Sequence, residues 1–144
     1  MACNKYKKST LRGYHVGSQT LATNDLVAYQ NFVVTGTSID RSDNTSATIE
    51  NKGMYSVTFN GTAVESGTPG SITVSLENNG IRVLGASATE YSANTSGVVN
   101  LAFSTVVEIL PSCCSIDNSS TLSVVNTGVG ATFTNANLTI TKLC

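Results

Sequence analysis

The chain has 144 residues, the length of one ordinary domain, and a domain of this size buries roughly two-thirds of the surface that its unfolded chain exposes. Ser, Thr and Asn together make up more than a third of the residues, whereas charged residues make up only 12% and the formal net charge is −1. Hydrophobic residues still reach 40%, which excludes a disordered chain, and with one His and no Trp we expect no acid-base enzyme.

The chain begins with a cluster of basic residues. Half of the eight basic residues lie within the first twelve positions, where there is no acid, and residues 1–26 show no strong strand alternation. We therefore expect a basic N-terminal arm over residues 1–26, which anchors the protein, and a head domain over residues 27–144. Such an arm orders on contact with its target. Its anchoring side chains are Lys5, Tyr6, Lys7, Lys8 and Arg12.

The arm has two candidate targets, an acidic protein surface and a nucleic acid. Four bases are few for a nucleic acid and no further basic stripe supports them, so we favour a tail that is solvated or docked on a protein partner. No apolar run of 7–15 residues follows Met1, so we expect no secretory signal and synthesis in the cytoplasm. No stretch approaches the roughly 18 apolar residues of a membrane helix, and we expect no membrane partner.

Alternation of apolar and polar residues predicts strands almost everywhere after residue 30. In residues 54–59 three apolar side chains alternate with polar ones, and the same period appears in residues 72–76 and 99–109. Shorter versions occur around residues 122–124 and 138–140. The positions expected to pack a core are Tyr55, Val57, Phe59, Leu101, Phe103, Val107, Leu138 and Ile140.

Turn residues separate these strands. Asn79-Gly80 lies between two alternating runs, and such a pair is the strongest short hairpin signal because both residues tolerate positive φ. Residues 68–70 and Asn60-Gly61 are expected to mark other strand ends. No window sustains the apolar period of an amphipathic helix, so the sequence predicts about eight short strands in one antiparallel sandwich or barrel.

The predicted strands carry almost no charge. Residues 53–76 contain a single charged residue, Glu65, and residues 97–110 contain only Glu108. Monomeric sheets usually protect their edges with Lys and other charged residues, whereas a surface buried against another copy avoids the cost of desolvating charge. We therefore favour self-association, and a monomer with hydroxyl-rich faces is the alternative.

The sequence contains no pattern for a metal, a cofactor or a catalytic group. His15 stands beside Gly13 and Gly17 without a nucleophile-base arrangement, which predicts a residue in a flexible loop. Residues 40–44 lack the spacing of a calcium loop, and the phosphate-binding loop GxxxxGK[ST] is absent. Five Asn-x-Ser/Thr sequons are about the number that this composition produces by chance.

The cysteines follow neither zinc-knuckle spacing nor a dense disulfide framework. They are Cys3, Cys113, Cys114 and Cys144. In a reducing cytosol we expect free thiols. The alternative is cross-linking after release into an oxidising medium, with Cys3 and Cys144 as the candidate pair.

Two segments resemble a known family. The strand Gly53-Met54-Tyr55-Ser56-Val57-Thr58-Phe59 resembles the Gly-x-Tyr-x-Val/Phe strand of the tumour-necrosis-factor-like and complement-globular-head-like jelly rolls. Residues 135–143 are similar to the last strand of their bacterial and viral relatives. The hairpin and two further predicted strands lie between them in a compatible order, so the resemblance covers roughly residues 27–143.

The resemblance implies an all-β, ten-stranded antiparallel jelly-roll sandwich whose first and last strands are adjacent. It also implies a homotrimer about an axis packed with aromatic and aliphatic side chains, for which the eight core positions above are the candidates. The chain departs from the secreted members because it has no collagen-like Gly-X-Y run. It looks more like a decoration or head-fibre protein of a bacteriophage virion, with a spore-surface component as an alternative.

A lectin-like module that binds carbohydrate or a host surface is a further alternative, because jelly rolls include lectins. The chain has no Trp, so sugar stacking would depend on tyrosines. The candidates are Tyr29, Tyr55 and Tyr91.

Overall fold

The computed structural model describes residues 8–110 and 120–144. The described residues form ten β-strands and no helix. The strands are β1 (Thr10–Leu21), β2 (Asn31–Thr35), β3 (Ile39–Arg41), β4 (Ser46–Ile49), β5 (Gly53–Glu65), β6 (Gly70–Asn78), β7 (Ile81–Ser92), β8 (Val99–Ile109), β9 (Ser120–Asn126) and β10 (Ala131–Lys142).

The strands build two five-stranded antiparallel sheets. The first sheet has the order β2-β1-β10-β5-β8 and the second has the order β3-β4-β9-β6-β7. Strand β1 pairs with β10 from Thr10↔Thr141 to Leu21↔Ala131, so the first and last strands are neighbours. The predicted all-β jelly-roll sandwich is confirmed, with ten strands in place of the eight that alternation alone indicated.

The core lies between the two sheets. In β5 the odd positions from Tyr55 to Ala63 are buried and the even positions are partly or fully exposed, which is the period-2 pattern of a half-buried strand. Phe59 stacks on Phe103 across the β5–β8 pair, with ring centroids 5.6 Å apart. Each of the eight predicted packing positions is buried in this core.

The β6–β7 hairpin has the predicted turn. Asn79 and Gly80 both have positive φ, 51° and 80°, and Asn78 pairs with Ile81 directly beside them. The expected strand end at Asn60-Gly61 is wrong, since β5 continues through it to Glu65. Gly61 is needed there for close approach, because a Cβ at this position would lie 2.7 Å from the carbonyl oxygen of Asn135.

The expected boundary at residue 26 also differs from the structure. Residues 10–21 form β1, which lies inside the first sheet between β2 and β10. Alternation was hard to see in β1 because one of its inward positions is Gly13. The rings of Tyr29 and Phe32 occupy the space of a side chain there, since a Cβ on Gly13 would lie 2.9 Å from the Phe32 ring.

His15 lies in β1 and not in a flexible loop. Its side chain faces inward with only 9% exposed, and its strand partner is Ala136. The regular register with β10 is interrupted just beyond it, between Val16 and Gln19, where Gly17 has a φ of 115°. Gly13 therefore allows close packing and Gly17 lies in a bulge, so both glycines belong to a strand and not to a loop.

The sandwich has two ends, which we call proximal and distal. At the proximal end β1 begins and β10 finishes, and residues 36–38, 50–52 and 79–80 connect strands there. At the distal end lie the connections 22–25, 66–69, 93–98 and 127–130. Both ends of the described chain, Lys8 and Cys144, are therefore at the proximal end.

Candidate assembly and attachment surfaces

One face of the first sheet packs on the core, and the opposite face is exposed to solvent. We call this solvent-exposed face the outer face. The register places outward side chains of five strands in three rows across this face. Hydroxyl and amide groups dominate these rows, whose only charged residue is Arg12, and Glu108 of β8 lies on the same face one row further toward the proximal end. It consists of Asn31, Val33, Thr35, Thr10, Arg12, Tyr14, Asn137, Thr139, Thr141, Ser56, Thr58, Asn60, Ala102, Ser104 and Val106.

Arg12 is fixed on this face. Its Nε donates a hydrogen bond of 3.2 Å to Oδ1 of Asn137, and its guanidinium lies 5.0 Å from the centre of the Tyr14 ring. Both partners belong to the neighbouring row of the outer face. Arg12 is thus a sheet residue with local partners, and it does not belong to an arm.

A shallow depression of about 270 Å³ interrupts the distal half of the outer face. Asn60, Thr62, Asn100 and Asn135 lie around it, and Leu101 and Ala102 also line it. Three amide side chains around an apolar floor provide hydrogen-bond donors and acceptors without charge.

Exposed apolar side chains lie on the strands at one side of the sandwich. Strand β7 is an edge of the second sheet and β8 is an edge of the first. On β7, Leu84 is 94% exposed and Ile81 is 74% exposed, and Val106 on β8 is half exposed. Exposed apolar residues of this size are typical of a contact with another protein.

At the proximal end a hydrogen-bonded cluster joins both ends of the described chain. The Ser9 hydroxyl accepts hydrogen bonds from the backbone N–H groups of Thr37 and Ser38, at 3.2 and 3.1 Å. The Ser38 hydroxyl in turn accepts from Nδ2 of Asn51 at 3.3 Å and from Nζ of Lys142 at 3.2 Å. These contacts hold β10 against the loops that precede β3 and β5.

The last residues turn back onto the start of β5. Leu143 donates its backbone N–H to the Met54 carbonyl, and Met54 donates to the carbonyl of Cys144 at 3.2 Å. Gly53, with a φ of 146°, leaves the room that the Cys144 carbonyl occupies. Cys144 is disulfide-bonded, so the expected free thiol is wrong for this residue. Cys3, Cys113 and Cys114 lie outside the described residues.

The three tyrosines proposed for sugar stacking are not equivalent. Tyr29 and Tyr55 are buried, and burial raises the pKa of both phenols. The Tyr55 hydroxyl donates to the Asn51 carbonyl at 2.6 Å, whereas the Tyr29 hydroxyl has no partner. Only Tyr91, 63% exposed on β7, presents its ring to solvent, so Tyr29 and Tyr55 are excluded as stacking platforms.

Few of the described residues have side chains of the kind that catalyse reactions or bind metals. Both ring nitrogens of His15 are buried without a hydrogen-bond partner. No three His, Cys, Asp or Glu side chains lie together as metal ligands within residues 8–110 and 120–144. Asp43 accepts hydrogen bonds from the backbone and hydroxyl of Thr45, which lowers the pKa of its carboxyl. In the same part of the chain, no helix could cross a membrane.

The predicted anchoring residues separate into two groups. Lys5, Tyr6 and Lys7 lie outside the described residues. Lys8 is exposed and lies two residues before the start of β1, whereas Arg12 lies on the outer face. The structure therefore assigns the described residues from Ser9 onward to the head, because Ser9 is buried and bonded to Thr37 and Ser38.

Comparison with known proteins gives matches of fold only. No family model and no curated protein sequence matches the chain. The globular domain of zebrafish complement 1qA is similar, with a TM-score of 0.68, 8% identity and coverage of 94% of this chain and 97% of that one. The Eiger TNF of S. frugiperda has a TM-score of 0.67 at 12% identity, covering 95% of this chain and 92% of that chain.

A viral protein is among the structures with this fold. The PRD1 vertex protein P5 matches with a TM-score of 0.50 and 16% identity, covering 94% of this chain and 97% of that chain. The chain thus has the jelly-roll fold found in TNF-like and complement 1q-like globular domains and in a phage vertex protein.

Proposed function

We propose that this chain is a non-enzymatic structural protein, a homotrimeric jelly-roll head displayed on the surface of a bacteriophage virion. The observation that carries the proposal is the outer face of the first sheet, which spans five strands with only two charged residues in the described chain, Arg12 near its centre and Glu108 at its proximal border. A second copy can cover such a face with little desolvation of charge. The exposed Leu84 and Ile81 on the β7 edge supply apolar surface for the same assembly.

The trimer that we propose uses other contact residues than the trimer that the resemblance implies. The eight predicted packing residues are already buried within the single chain, so they build the core and are not available to a trimer axis. Besides the charged Arg12 and Glu108, the outer face offers one aromatic ring, Tyr14, together with hydroxyl, amide and small aliphatic groups. We expect its contacts to be wetter than a core-like interface, because polar interfaces retain bridging waters.

The virion assignment draws support from the fold shared with the PRD1 vertex protein P5. The proposed attachment is through the residues before β1, which include three lysines within four positions, Lys5, Lys7 and Lys8. The other fold neighbours, a complement 1q domain and a TNF, give no reason to expect an enzyme.

Two measurements test the proposal. Light scattering at micromolar concentration should give a mass near three times 15.0 kDa, and a monomer would contradict the trimer. The protein should also copurify with virions, and deletion of residues 1–7 should release it while the head stays folded. Deletion of residues 1–26 is unsuitable, because it removes β1 from the first sheet. Copurification with spores instead would select the spore-surface alternative.

A carbohydrate- or host-surface-binding module is the second candidate. The exposed ring of Tyr91 and the depression bordered by Asn60, Asn100 and Asn135 favour it. A trimer would add avidity to weak contacts at either place. Glycan-array binding that survives deletion of residues 1–7 and is lost in Tyr91→Ala would support this candidate.

A further inference from the structure

Arg12 carries the only positive charge on the outer face in the described chain. Its Nε is bonded to the Asn137 amide and its guanidinium lies against the Tyr14 ring, and both of these partners are neutral. Within the described residues, its two Nη groups have no hydrogen-bond acceptor. A copy that covers this face desolvates the guanidinium, which is costly unless the same copy supplies an acidic group.

A three-fold ring brings two different surfaces of each copy together, because its contacts are heterologous. The outer face is one candidate surface. The other is the β7 edge of the second sheet, where Ile81 and Leu84 are the most exposed apolar side chains of the strand. An acidic group on this edge would therefore be the one that meets Arg12 of the neighbouring copy.

Glu90 is the acidic residue of the β7 edge. Its strand partner is the core residue Ile72, yet Glu90 is exposed, because β7 has no further strand beside it. In the described chain its carboxylate has no hydrogen bond and no ion pair. The other charged residue of β7, Arg82, has Glu77 opposite it on β6. Glu90 is thus the uncompensated charge of this edge.

Arg12 and Glu90 lie at similar heights along the strands, as pairing groups must in a ring whose axis follows the strand direction. Glu90 lies two residues from the end of β7, where the Ser92 hydroxyl accepts the backbone N–H of Glu65 at the end of β5. The Arg12 guanidinium lies in the row that contains Asn60 of β5. The two heights differ by about three residues, or roughly 10 Å, a difference that the two long side chains can close.

Glu108, the other charged residue of the outer face, lies at a different height. It follows Ala102, which belongs to the row of the Arg12 guanidinium, by six residues on β8, or roughly 20 Å. Within one copy, β1 and β8 are also three strand spacings apart, which is about 14 Å. Glu108 therefore cannot neutralise Arg12 within one copy or across a level ring.

We propose that Arg12 of one copy forms an ion pair with Glu90 of the next copy, so that the β7 edge of each copy packs on the outer face of its neighbour. The inference rests on the proposed function and deepens it, because it names the two surfaces that meet and the charge pair that fixes the direction of the ring. A closed trimer contains three such pairs, one at each interface.

Charge reversal and its rescue test the pair, with the mass of the full-length protein measured by light scattering over a dilution series. Arg12→Glu and Glu90→Arg should each raise the concentration at which half of the protein is trimeric by about tenfold or more, because each change places like charges opposite each other. The double variant that combines both changes should return to within about threefold of the unchanged protein. Circular dichroism checks that each variant is folded.

Two reversals at the proximal end are the matched controls. Lys52→Glu and Glu50→Arg make the same changes of net charge at exposed positions of the connection before β5, and should dissociate within about twofold of the unchanged protein. A double variant of Arg12→Glu and Glu108→Arg has the same net charge as the rescue and should not restore the trimer.

Three results would overturn the inference: the two single variants dissociate like the unchanged protein, the double variant is no better than either of them, or Glu108→Arg rescues Arg12→Glu in place of Glu90→Arg. In each of these the unchanged protein is a trimer. A monomer for the unchanged protein contradicts the proposed function, and the ion pair with it, so the two failures are distinguishable.

Discussion

At the scale of single residues, stability depends on side chains that alternate into the space between the sheets. Phe103 shows this best, because its ring is buried and stacks on Phe59 from the adjacent strand. We expect Phe103→Ala to lower the free energy of unfolding by about 3–5 kcal/mol, through lost burial and the cavity that remains. Chemical denaturation at a fixed protein concentration measures this, and an unchanged midpoint would show that the ring is not in the core.

Because of Tyr29, the stability of the head changes with pH in the alkaline range. Its hydroxyl is buried without a partner, and burial raises the pKa of the phenol above its ordinary value of 10.0. Above that pH the unfolded chain loses the proton before the folded chain does, so the free energy of unfolding falls as pH rises. Tyr55, whose phenol pKa is also raised by burial, contributes in the same direction.

Tyr29→Phe should remove the Tyr29 part of this dependence. We expect the variant to be at least as stable near pH 7, because no hydrogen bond is lost, and to lose less stability than the unchanged protein between about pH 9 and 11. Thermal unfolding across this range measures the difference. Parallel pH profiles for the two proteins would contradict the assignment of the effect to Tyr29.

At the scale of elements, turn chemistry decides register. The β6–β7 hairpin closes through Asn79 and Gly80, both at positive φ, and Asn79 is also bonded to Thr121 through its backbone N–H and its side-chain oxygen, each at 2.8 Å. These bonds join the turn to β9 in the same sheet. The hairpin could be predicted because its signal is local and consists of two residues.

Gly80→Ala should therefore destabilise the hairpin. No atom lies within 4 Å of a Cβ placed on Gly80, so the cost is conformational and should be about 1 kcal/mol. Ser87→Ala, at an exposed position of β7, is the control and should leave the melting temperature nearly unchanged. Equal melting temperatures for both variants would mean that the turn does not need positive φ.

At the scale of the whole molecule, the outer face of the first sheet decides between monomer and trimer. Thr58 lies near its middle, between Thr139 and Ser104 on the neighbouring strands. A carboxylate buried there without a partner would cost several kcal/mol in each copy. We expect Thr58→Glu to produce a folded monomer in light scattering, with circular dichroism unchanged.

Ser71→Glu is the matched control for this prediction. Ser71 is an exposed residue on β6 of the second sheet, away from the outer face of the first sheet, and the variant should remain a trimer. If Thr58→Glu also remains a trimer, the outer face is not the interface, and the β7 edge with its exposed Ile81 and Leu84 becomes the surface to test.

The sequence by itself determined the class of fold and much of the core. Alternation in β5, β8 and β10 identified the buried face, because the side-chain period of a strand is local and large apolar residues occupy most inward positions. The same reasoning could not find β1, where Gly13 and His15 take inward positions. The role of Gly13 depends on Tyr29 and Phe32, whose rings approach it from another part of the chain.

Only the tertiary structure separated residues that build the core from residues that are free to contact another protein. Period 2 places Tyr55 and Thr58 on opposite faces of one strand but does not say which face a second copy would cover. The structure buries the apolar face against the second sheet and leaves the polar face open. It also places Arg12 beside Asn137 of β10 and Glu90 at the edge of the second sheet. Long-range pairing decides such positions, and no local pattern records it.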